Sequence, residues 1–315
     1  MYLVTGGAGF IGSNIVEALV TSGAAVRVLD NLANGKRENL AAFGDRVEWI
    51  EGDIRDPSVC QHAVRGASVV LHLAALGSVP RSIADPATSN DVNVTGTLNV
   101  LIAARDAGVK RVVFSSSSSV YGENPALPKR EDLATLPISP YAVSKLAAES
   151  YTRVFSKVYG LETVSLRYFN VFGPRQRADS PYAAVIPLFM QSALDGRPLP
   201  INGDGLQSRD FTYVTNVVRA NLLAATVPGV AGGTYNIACG ERYSLLDIVD
   251  ALAEAAGRSL TRDHRPPRAG DVRHSQADIS AAASDLGYHV EVGFREGLAL
   301  TWRAFLAAQG SALAS

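Results

Sequence analysis

Short apolar runs alternate with helical patterns through the first half of the chain. The apolar runs extend over Tyr2 to Thr5, Ala25 to Asp30, Arg46 to Glu51, Ala67 to Ala75, Arg111 to Ser115 and Thr163 to Tyr168. Several are apolar at consecutive positions, as in Val69-Val70-Leu71, which is typical of strands buried on both faces of a parallel sheet. Because helical patterns separate the runs, this order predicts an α/β fold built on a doubly wound parallel sheet.

The helical patterns are frequent in the first half of the chain and sparser in the second. Ser13 to Thr21 and Asp91 to Ala107 each end within two residues of a glycine, which is the usual helix stop. After Tyr168, proline and glycine become frequent, and long helices are predicted from Ser244 to Ala256 and from Arg295 to Ala308. The second half therefore predicts a smaller mixed α/β domain that supplies loops to a site on the first.

Composition narrows the class of protein. The 315 residues include 29 basic and 30 acidic side chains, so the chain lacks the basic excess of a general nucleic-acid binder. No apolar stretch approaches the roughly 18 residues of a membrane span, and no charged segment precedes the first apolar run, so we expect a cytoplasmic protein. The two cysteines, Cys60 and Cys239, lie far apart and indicate neither a disulfide framework nor a metal site.

The first strand leads directly into a glycine-rich turn and a helix. The glycines of Gly6–Gly12 have the spacing GxxGxxG, which lets a pyrophosphate approach the helix N-terminus with no side chain between them. Asp30 ends the next strand, where a carboxylate either accepts both hydroxyls of an adenosine ribose or caps a loop. The same carboxylate would repel a 2′-phosphate, and Lys36 and Arg37 are interpreted as solvated loop charges. The turn and Asp30 together predict NAD rather than NADP.

A second pattern pairs a tyrosine with a lysine. Tyr141 and Lys145 are four residues apart, which places them on one helix face. A nearby positive charge lowers the pKa of a phenol, and a tyrosine of this kind can act as general base towards an alcohol. This spacing also occurs on ordinary helix surfaces. It gains weight from the serine run Ser115–Ser119, because that run follows an apolar strand and ligands bind at strand C-termini in open α/β sheets.

With these features the sequence resembles the extended short-chain dehydrogenases/reductases, specifically the UDP-galactose 4-epimerase family. The resemblance extends from Met1 to about Ala308 and is closest to the bacterial UDP-N-acetylglucosamine 4-epimerases. The matching segments are Gly6-Gly-Ala-Gly-Phe-Ile-Gly12, Asp30-Asn-Leu32, Gly52-Asp-Ile54, His72-Leu-Ala-Ala75, Val120-Tyr-Gly122, Tyr141 to Lys145, Leu166-Arg-Tyr-Phe-Asn170, Ser208-Arg-Asp-Phe211 and Arg268-Ala-Gly-Asp271. The resemblance implies an NAD-binding Rossmann domain at residues 1–168, to which 209–230 return, and a nucleotide-sugar-binding domain at 169–208 and 231–315.

The resemblance also implies a role for individual residues. The catalytic residues would be Ser117, Tyr141 and Lys145. The residues expected to bind NAD are Gly6, Gly9, Phe10, Ile11, Gly12, Asp30, Asn31, Asn34, Gly35, Asp53, Ile54, Leu73, Ala74, Ala75, Tyr141, Lys145 and Tyr168. Those expected to bind a UDP-sugar are Gly77, Ser118, Ser119, Asn170, Gln176, Ala184, Val185, Arg209, Arg268, Asp271 and Ser275. NAD would stay tightly bound, no metal is expected, and a homodimer would form through the helices at 91–107 and 141–159.

Three positions bear on the reaction and the sugar. Family members that dehydrate or decarboxylate the sugar carry a carboxylate where this chain has Ser118 and Ser119, so 4-epimerisation is expected. In this family a tyrosine at one position blocks a 2-acetamido group, and this chain has Ser275 there. The leading expectation is therefore that the substrates are UDP-GlcNAc and UDP-GalNAc, for polysaccharide or glycan supply. UDP-glucose/UDP-galactose stays open, as does UDP-glucuronate/UDP-galacturonate with Arg81 or Arg175 near the carboxylate. A nucleotide-sugar 4-keto reductase is a more distant alternative.

Overall fold

The computed structural model describes residues 1–178, 183–266 and 272–312. The strands are β1 (Tyr2–Thr5), β2 (Val26–Asp30), β3 (Val47–Glu51), β4 (Val69–His72), β5 (Arg111–Ser117), β6 (Glu162–Tyr168), β7 (Val171–Phe172), β8 (Leu199–Asn202), β9 (Ser208–Arg209), β10 (Thr212–Tyr213), β11 (Thr234–Ile237), β12 (Tyr243–Ser244) and β13 (Arg262–Arg265). The helices are α1 (Phe10–Thr21), α2 (Pro57–Val64), α3 (Val79–Ala84), α4 (Pro86–Asn90), α5 (Gly96–Asp106), α6 (Pro140–Tyr159), α7 (Val185–Leu194), α8 (Val214–Thr226), α9 (Leu245–Ala256), α10 (Ser280–Leu286) and α11 (Phe294–Ala312).

The central sheet is parallel and has the order β11-β6-β5-β4-β1-β2-β3. Its six strands from the first half coincide with the six apolar runs of the sequence, so the predicted doubly wound sheet is confirmed. The strand order reverses between β1 and β4. In open α/β sheets this reversal leaves a crevice at the strand C-termini, where ligands bind.

The seventh strand, β11, differs from the expected domain division. It pairs with β6, with Thr234 opposite Ser165, although residues 231–315 were assigned to the substrate domain. The segment Thr-Tyr-Asn-Ile is short and half polar, so its membership of the sheet depends on pairing with a distant strand rather than on a local pattern. The rest of the division into two domains stays a prediction.

Helix α6 begins and ends with standard signals. The Ser139 hydroxyl accepts a hydrogen bond from the Ala142 N–H, and Pro140 occupies the first turn, where its missing N–H costs no helix bond. Gly160 ends the helix in the left-handed conformation, with φ of 69°. These caps place Tyr141 in the first turn of α6 and Lys145 one turn later, at the edge of the sheet where β5 ends.

Smaller strand pairs extend the fold beyond the central sheet. Strand β9 pairs antiparallel with β12, and β8 pairs parallel with β13. Near them, the buried ring of Phe172 packs edge-on against Phe211, Tyr213 and Phe294 at centroid distances of 5.7 to 6.4 Å. This aromatic cluster is continuous with the core beneath the sheet, so the loops that carry the site rest on packed side chains.

Neither a membrane-spanning helix nor a metal-binding cluster occurs among the described residues. Within the described ranges, no helix is both long enough and apolar enough to span a bilayer. No group of three or more His, Cys, Asp or Glu side chains in the same ranges is placed to hold a metal ion. Cys60 is buried and Cys239 half-buried, and both are free thiols.

Candidate active site

Two adjoining cavities lie at the point where the strand order reverses. The small cavity, of about 420 Å³, is lined by the glycine turn after β1, the ends of β2 and β3, and the segment after β4. The large cavity, of about 900 Å³, is lined by the serines that end β5, the start of α6 and loops from the second half. Both cavities have in common the lining residues Phe10, Ile11, Leu73, Ala75 and Gly77.

The glycine turn brings backbone groups to the wall of the small cavity. Gly6 has a left-handed φ of +70°, and a Cβ added to Gly12 would lie 2.2 Å from the Gly6 carbonyl oxygen. Gly9 precedes α1 and provides no side-chain cap, so the first N–H groups of that helix remain available to a ligand. A turn without side chains at a helix N-terminus fits a pyrophosphate.

Asp30 caps two loops at the wall of the small cavity. Its Oδ2 accepts a hydrogen bond from the Ala8 N–H at 3.0 Å and its Oδ1 from the Leu32 N–H at 2.8 Å, so the carboxylate holds two loops together. Burial raises the pKa of Asp30, and these two hydrogen bonds oppose the rise. A carboxylate has about four acceptor positions, and Asp30 also lines the small cavity, so acceptor capacity is left for ribose hydroxyls.

The far end of the small cavity is polar. Asp53 binds Arg55 through two side-chain bonds of 2.8 and 3.1 Å and accepts a third from Asn31. The hydrogen bond from Arg55 is the largest cause that lowers the pKa of Asp53, to about 2. The small cavity is also lined by the predicted NAD residues Gly6, Gly9, Phe10, Ile11, Gly12, Asp30, Asn31, Asn34, Gly35, Asp53, Ile54, Leu73, Ala74 and Ala75. This donor and acceptor set fits NAD.

The predicted catalytic residues meet in the large cavity. Tyr141 forms a side-chain hydrogen bond with Ser117, and Lys145 donates to the Ser115 carbonyl oxygen at 2.7 Å. Tyr168 also lines this cavity, and its hydroxyl is hydrogen-bonded to the Ser115 hydroxyl at 3.0 Å. A phenol, a hydroxyl and an ammonium therefore lie at one end of the cavity.

The pKa of Tyr141 differs from the expectation. Burial raises it, and the hydrogen bond with Ser117 opposes the rise. The expected lowering by Lys145 does not contribute to this shift, and burial lowers the pKa of Lys145 itself to about 8. Both groups are therefore held in their neutral forms more strongly than in water.

The described charged side chains that line the large cavity are all basic. Three cationic residues line it, Lys129, Lys145 and Arg209, whereas none of its described lining residues is an aspartate or glutamate. Two buried polar atoms at its wall, Ser119 Oγ and Gln176 Oε1, have no hydrogen-bond partner within the described protein. Buried polar atoms are normally paired, so the cavity fits an anionic ligand with polar substituents.

Arg209 and Ser275 are brought together by backbone pairing between two segments. The Ser275 N–H donates to the Ser208 carbonyl oxygen at 3.0 Å, and the Ser208 N–H donates to the Arg273 carbonyl oxygen at 3.0 Å. Asp210 stabilises this arrangement by accepting the N–H of Ala277 at 3.2 Å. Residues distant in sequence thus line one wall of the large cavity.

Most of the predicted UDP-sugar residues line the large cavity. Those that do so are Gly77, Ser118, Ser119, Asn170, Gln176, Arg209 and Ser275. Ala184 and Val185 do not line the cavity. They lie at the start of α7, where Ile186 and Phe189 are buried in the core. Arg268 and Asp271 lie outside the described residues. The binding roles of all these residues stay predictions.

The two arginines considered as partners of a sugar carboxylate lie elsewhere. Arg175 donates to Asn14 at 2.9 Å and pairs with Glu17, on helix α1. Arg81 donates to the Asn34 side chain at 3.0 Å and lines the small cavity. Their positions depend on contacts with the glycine turn and α1, which the sequence pattern around each arginine does not encode.

Other residues of the large cavity were not singled out from the sequence. Tyr121 lies within the motif Val120-Tyr-Gly122, which by itself predicts no role for the phenol. Lys129 follows Leu127 and Pro128 in a loop, with no periodicity or spacing to mark it. Such a lysine reaches the site only through the path of its loop, so no local signal could have found it.

Comparison with known proteins gives consistent matches. The sequence profile of the NAD dependent epimerase/dehydratase family matches residues 2–238. The chain is 40% identical over 303 residues to a UDP-glucose 4-epimerase of Mycolicibacterium smegmatis, covering 95% of this chain and 96% of that protein. It is similar to the solved UDP-N-acetylglucosamine 4-epimerase of Methanobrevibacter ruminantium in complex with UDP-N-acetylmuramic acid, with a TM-score of 0.93 and 41% identity over 98% of both chains. It is also similar to the Thermus thermophilus UDP-glucose 4-epimerase in complex with NAD, with a TM-score of 0.89 and 40% identity over 98% of this chain and 99% of that one.

Proposed function

The chain belongs to the NAD dependent epimerase/dehydratase family, and we propose that it interconverts UDP-GlcNAc and UDP-GalNAc by inverting the configuration at C4 of the sugar. The family, the NAD cofactor and the UDP-sugar 4-epimerase class that the sequence predicted are confirmed by these matches. Relatives named for different sugars match the chain at 40% and 41% identity, so the preferred sugar must be inferred from the cavity.

The observation that carries this proposal is Ser275 at the wall of the large cavity. It lies in the same cavity as Tyr141 and Ser117, the groups expected to act at C4. A serine leaves free the volume that a tyrosine side chain would fill, and the volume of an acetamido group is smaller than that of a phenol. The cavity therefore supports a sugar with a 2-acetamido substituent.

The nucleotide end of the substrate is proposed to lie at Arg209. Its guanidinium is anchored by the carbonyl oxygens of Ser208 and Arg273, at 2.9 and 3.3 Å, and it lines the large cavity. A planar guanidinium binds diphosphate oxygens in pairs, which suits the diphosphate of a UDP-sugar. Arg268 and Asp271 complete this set only by resemblance.

The reaction begins with removal of the proton on O4. We propose that Tyr141 accepts this proton while Ser117 orients O4 through a hydrogen bond. The raised pKa of Tyr141 makes its phenolate a strong base. We propose that Lys145, on the same helix face, stabilises that phenolate. When bound in the small cavity, NAD supplies the acceptor for the hydride of C4 and the donor that returns it.

The second half of the reaction returns both hydrogens with inversion. The 4-keto sugar rotates in the cavity, so its opposite face receives the hydride, and Tyr141 gives the proton back to O4. The cavity of about 900 Å³ provides room for that rotation. Ser118 and Ser119 carry no carboxylate, so the chain has no acid–base pair at these positions to eliminate a group from the neighbouring carbon.

The alternative sugars lead to different outcomes in one experiment. Purified enzyme is assayed by coupled turnover on UDP-GlcNAc, UDP-glucose and UDP-glucuronate. The proposal predicts the highest kcat/KM for UDP-GlcNAc. A higher kcat/KM for UDP-glucose or UDP-glucuronate contradicts it and leaves the 4-epimerase class intact. A 4-keto reductase would instead consume reduced cofactor stoichiometrically and would not purify with NAD.

A homodimer is proposed from the surface of α6. Val143, Val154 and Val158 lie on this helix with exposed fractions of 52%, 46% and 65%, at spacings that place them along one side. Apolar side chains that follow one helix face favour packing against a second copy of the same face. Light scattering should give twice the monomer mass, and a V154D/V158D variant should give the monomer mass.

A further inference from the structure

Lys129 is a buried cation at the wall of the large cavity. It is 3% exposed, and its ammonium donates to the carbonyl oxygen of Asn124. Its backbone is held on both sides, because its N–H donates to the Gln276 carbonyl oxygen at 2.7 Å and its carbonyl oxygen accepts from the Asp278 N–H at 2.8 Å. The residue therefore has a defined position beside the segment that carries Ser275.

No carboxylate of the described protein forms an ion pair with Lys129. Within the described residues the ammonium has one hydrogen-bond partner, the backbone carbonyl oxygen of Asn124. This oxygen is neutral and accepts one of the three ammonium protons. Burial lowers the pKa of Lys129 with no opposing charge among its causes. Burying an ammonium whose N–H donors are unpaired costs free energy. The other two cations of the cavity already have proposed roles, Arg209 at the diphosphate and Lys145 at the phenolate.

The position of Lys129 indicates which part of the substrate it faces. Gln276 accepts its backbone N–H, and the preceding residue, Ser275, is where space for a 2-acetamido group is proposed. We propose that the Lys129 ammonium donates a hydrogen bond to the acetamido carbonyl oxygen of the bound sugar. This inference rests on the proposed function and adds a residue that selects for the N-acetyl group.

A hydrogen bond from Lys129 would favour the N-acetyl sugar over the smaller sugar, which Ser275 alone cannot do. A small residue admits the larger sugar but does not exclude the smaller one, whose fit leaves only empty space. A site built to donate to a substrate oxygen discriminates more strongly, because an analogue that lacks the oxygen leaves the donor unpaired. Ser275 thus permits the acetamido group, and Lys129 favours it over a hydroxyl.

The test compares Lys129→Met with wild type on UDP-GlcNAc and UDP-glucose. Loss of a charge-assisted hydrogen bond should lower kcat/KM for UDP-GlcNAc about 10- to 100-fold, with a change of less than about threefold for UDP-glucose. The matched control is Arg130→Met, which removes an exposed cation that pairs with Asp132 and should leave both values unchanged. The affinity for UDP, measured by calorimetry, should be the same in all three proteins.

The outcomes separate this inference from the proposed function. If wild type prefers UDP-glucose, both fail. If wild type prefers UDP-GlcNAc and K129M keeps the same ratio of kcat/KM values, only the role of Lys129 fails. Lys129→Gln retains a donor for Asn124 without the charge and replaces K129M if that variant melts at a much lower temperature. Its neutral amide is a weaker donor than the ammonium, so this variant should also lose preference for UDP-GlcNAc, and an unchanged ratio would overturn the inference.

Discussion

Arg167 and Glu149 form a buried ion pair directly behind the serine run Ser115–Ser119. The guanidinium Nη2 lies 2.6 Å from Oε1 and Nε lies 3.0 Å from Oε2. Ser116 donates to the same carboxylate at 2.5 Å, and Arg167 donates to the Tyr121 hydroxyl at 2.9 Å. The pair joins β6 to α6 one turn after Lys145, so it sets the distance between the serine run and the tyrosine–lysine helix.

Breaking this pair should cost more than replacing it whole. Arg167→Met leaves the Glu149 carboxylate buried without its counter-ion, and we expect a loss of about 3 to 5 kcal/mol in the free energy of unfolding. The double variant R167M/E149M should lose less than the sum of the two single losses. Urea denaturation of all four proteins checks this, and additive losses would show that the two side chains are not coupled.

Tyr141→Phe should lower kcat by about 10² to 10⁴-fold, because the phenyl ring cannot exchange a proton with O4. NAD content should fall far less than kcat, since Tyr141 is one of many residues expected to bind NAD and most of the others line the small cavity. Turnover and the NAD released on heat denaturation are measured on the same preparation. Full activity in this variant would remove Tyr141 from the proton-transfer role.

Ser275→Tyr should reverse the sugar preference. A phenol in place of the serine hydroxyl fills the volume proposed for the acetamido group, so kcat/KM for UDP-GlcNAc should fall at least about 100-fold, whereas UDP-galactose should change by less than about tenfold. Ser275→Ala is the control, since it preserves the space and should preserve the preference. Equal losses on both sugars would mean that the substituent lies elsewhere.

Asp30→Asn should weaken NAD binding about 10- to 100-fold, because an amide accepts hydrogen bonds less well than a carboxylate and places an NH₂ against donors. The readout is the fraction of protein that retains NAD after gel filtration, with the dissociation constant from fluorescence. NADP should not bind better, because no cation replaces the lost charge. Unchanged retention would assign Asp30 to loop capping alone.

Asp210 should make stability fall as pH rises. Burial raises its pKa to about 7, against the hydrogen bonds from Cys239, Gly240 and Ala277. Because the unfolded carboxyl titrates near pH 4, the folded chain holds a proton that the unfolded chain has lost between about pH 4 and 7, and stability from this group declines across that window. The wild-type unfolding free energy minus that of Asp210→Asn should fall from pH 5 to 7 and be level above pH 8.

Local patterns were sufficient for the cofactor side of the site. The glycine turn depends on residues within seven positions, and Tyr141 and Lys145 share a helix face because of their spacing alone. Asp30 was located by its place at the end of a strand, and the structure adds that it also caps the loops of Ala8 and Leu32. Each of these features follows from the geometry of one element and its neighbour.

The substrate side depended on contacts that no local pattern encodes. The strand β11 joins the central sheet through pairing with β6, and Lys129 enters the large cavity because its loop is held by Gln276. Arg81 and Arg175 have charge in the sequence but are held near the glycine turn and α1. The sequence shows which positions are charged, but tertiary contacts decide which cavity each charged side chain enters.

The wall that the two cavities have in common brings their occupants against the same residues. Phe10, Ile11, Leu73, Ala75 and Gly77 border both spaces, so a molecule bound in one space contacts residues that also border the other. Binding linkage is reciprocal: if bound NAD strengthens the affinity for the nucleotide by some factor, the bound nucleotide strengthens the affinity for NAD by the same factor. At a fixed association rate, NAD then dissociates more slowly by that factor. Where such a factor exists, the protein should retain NAD longer in the presence of UDP than in its absence.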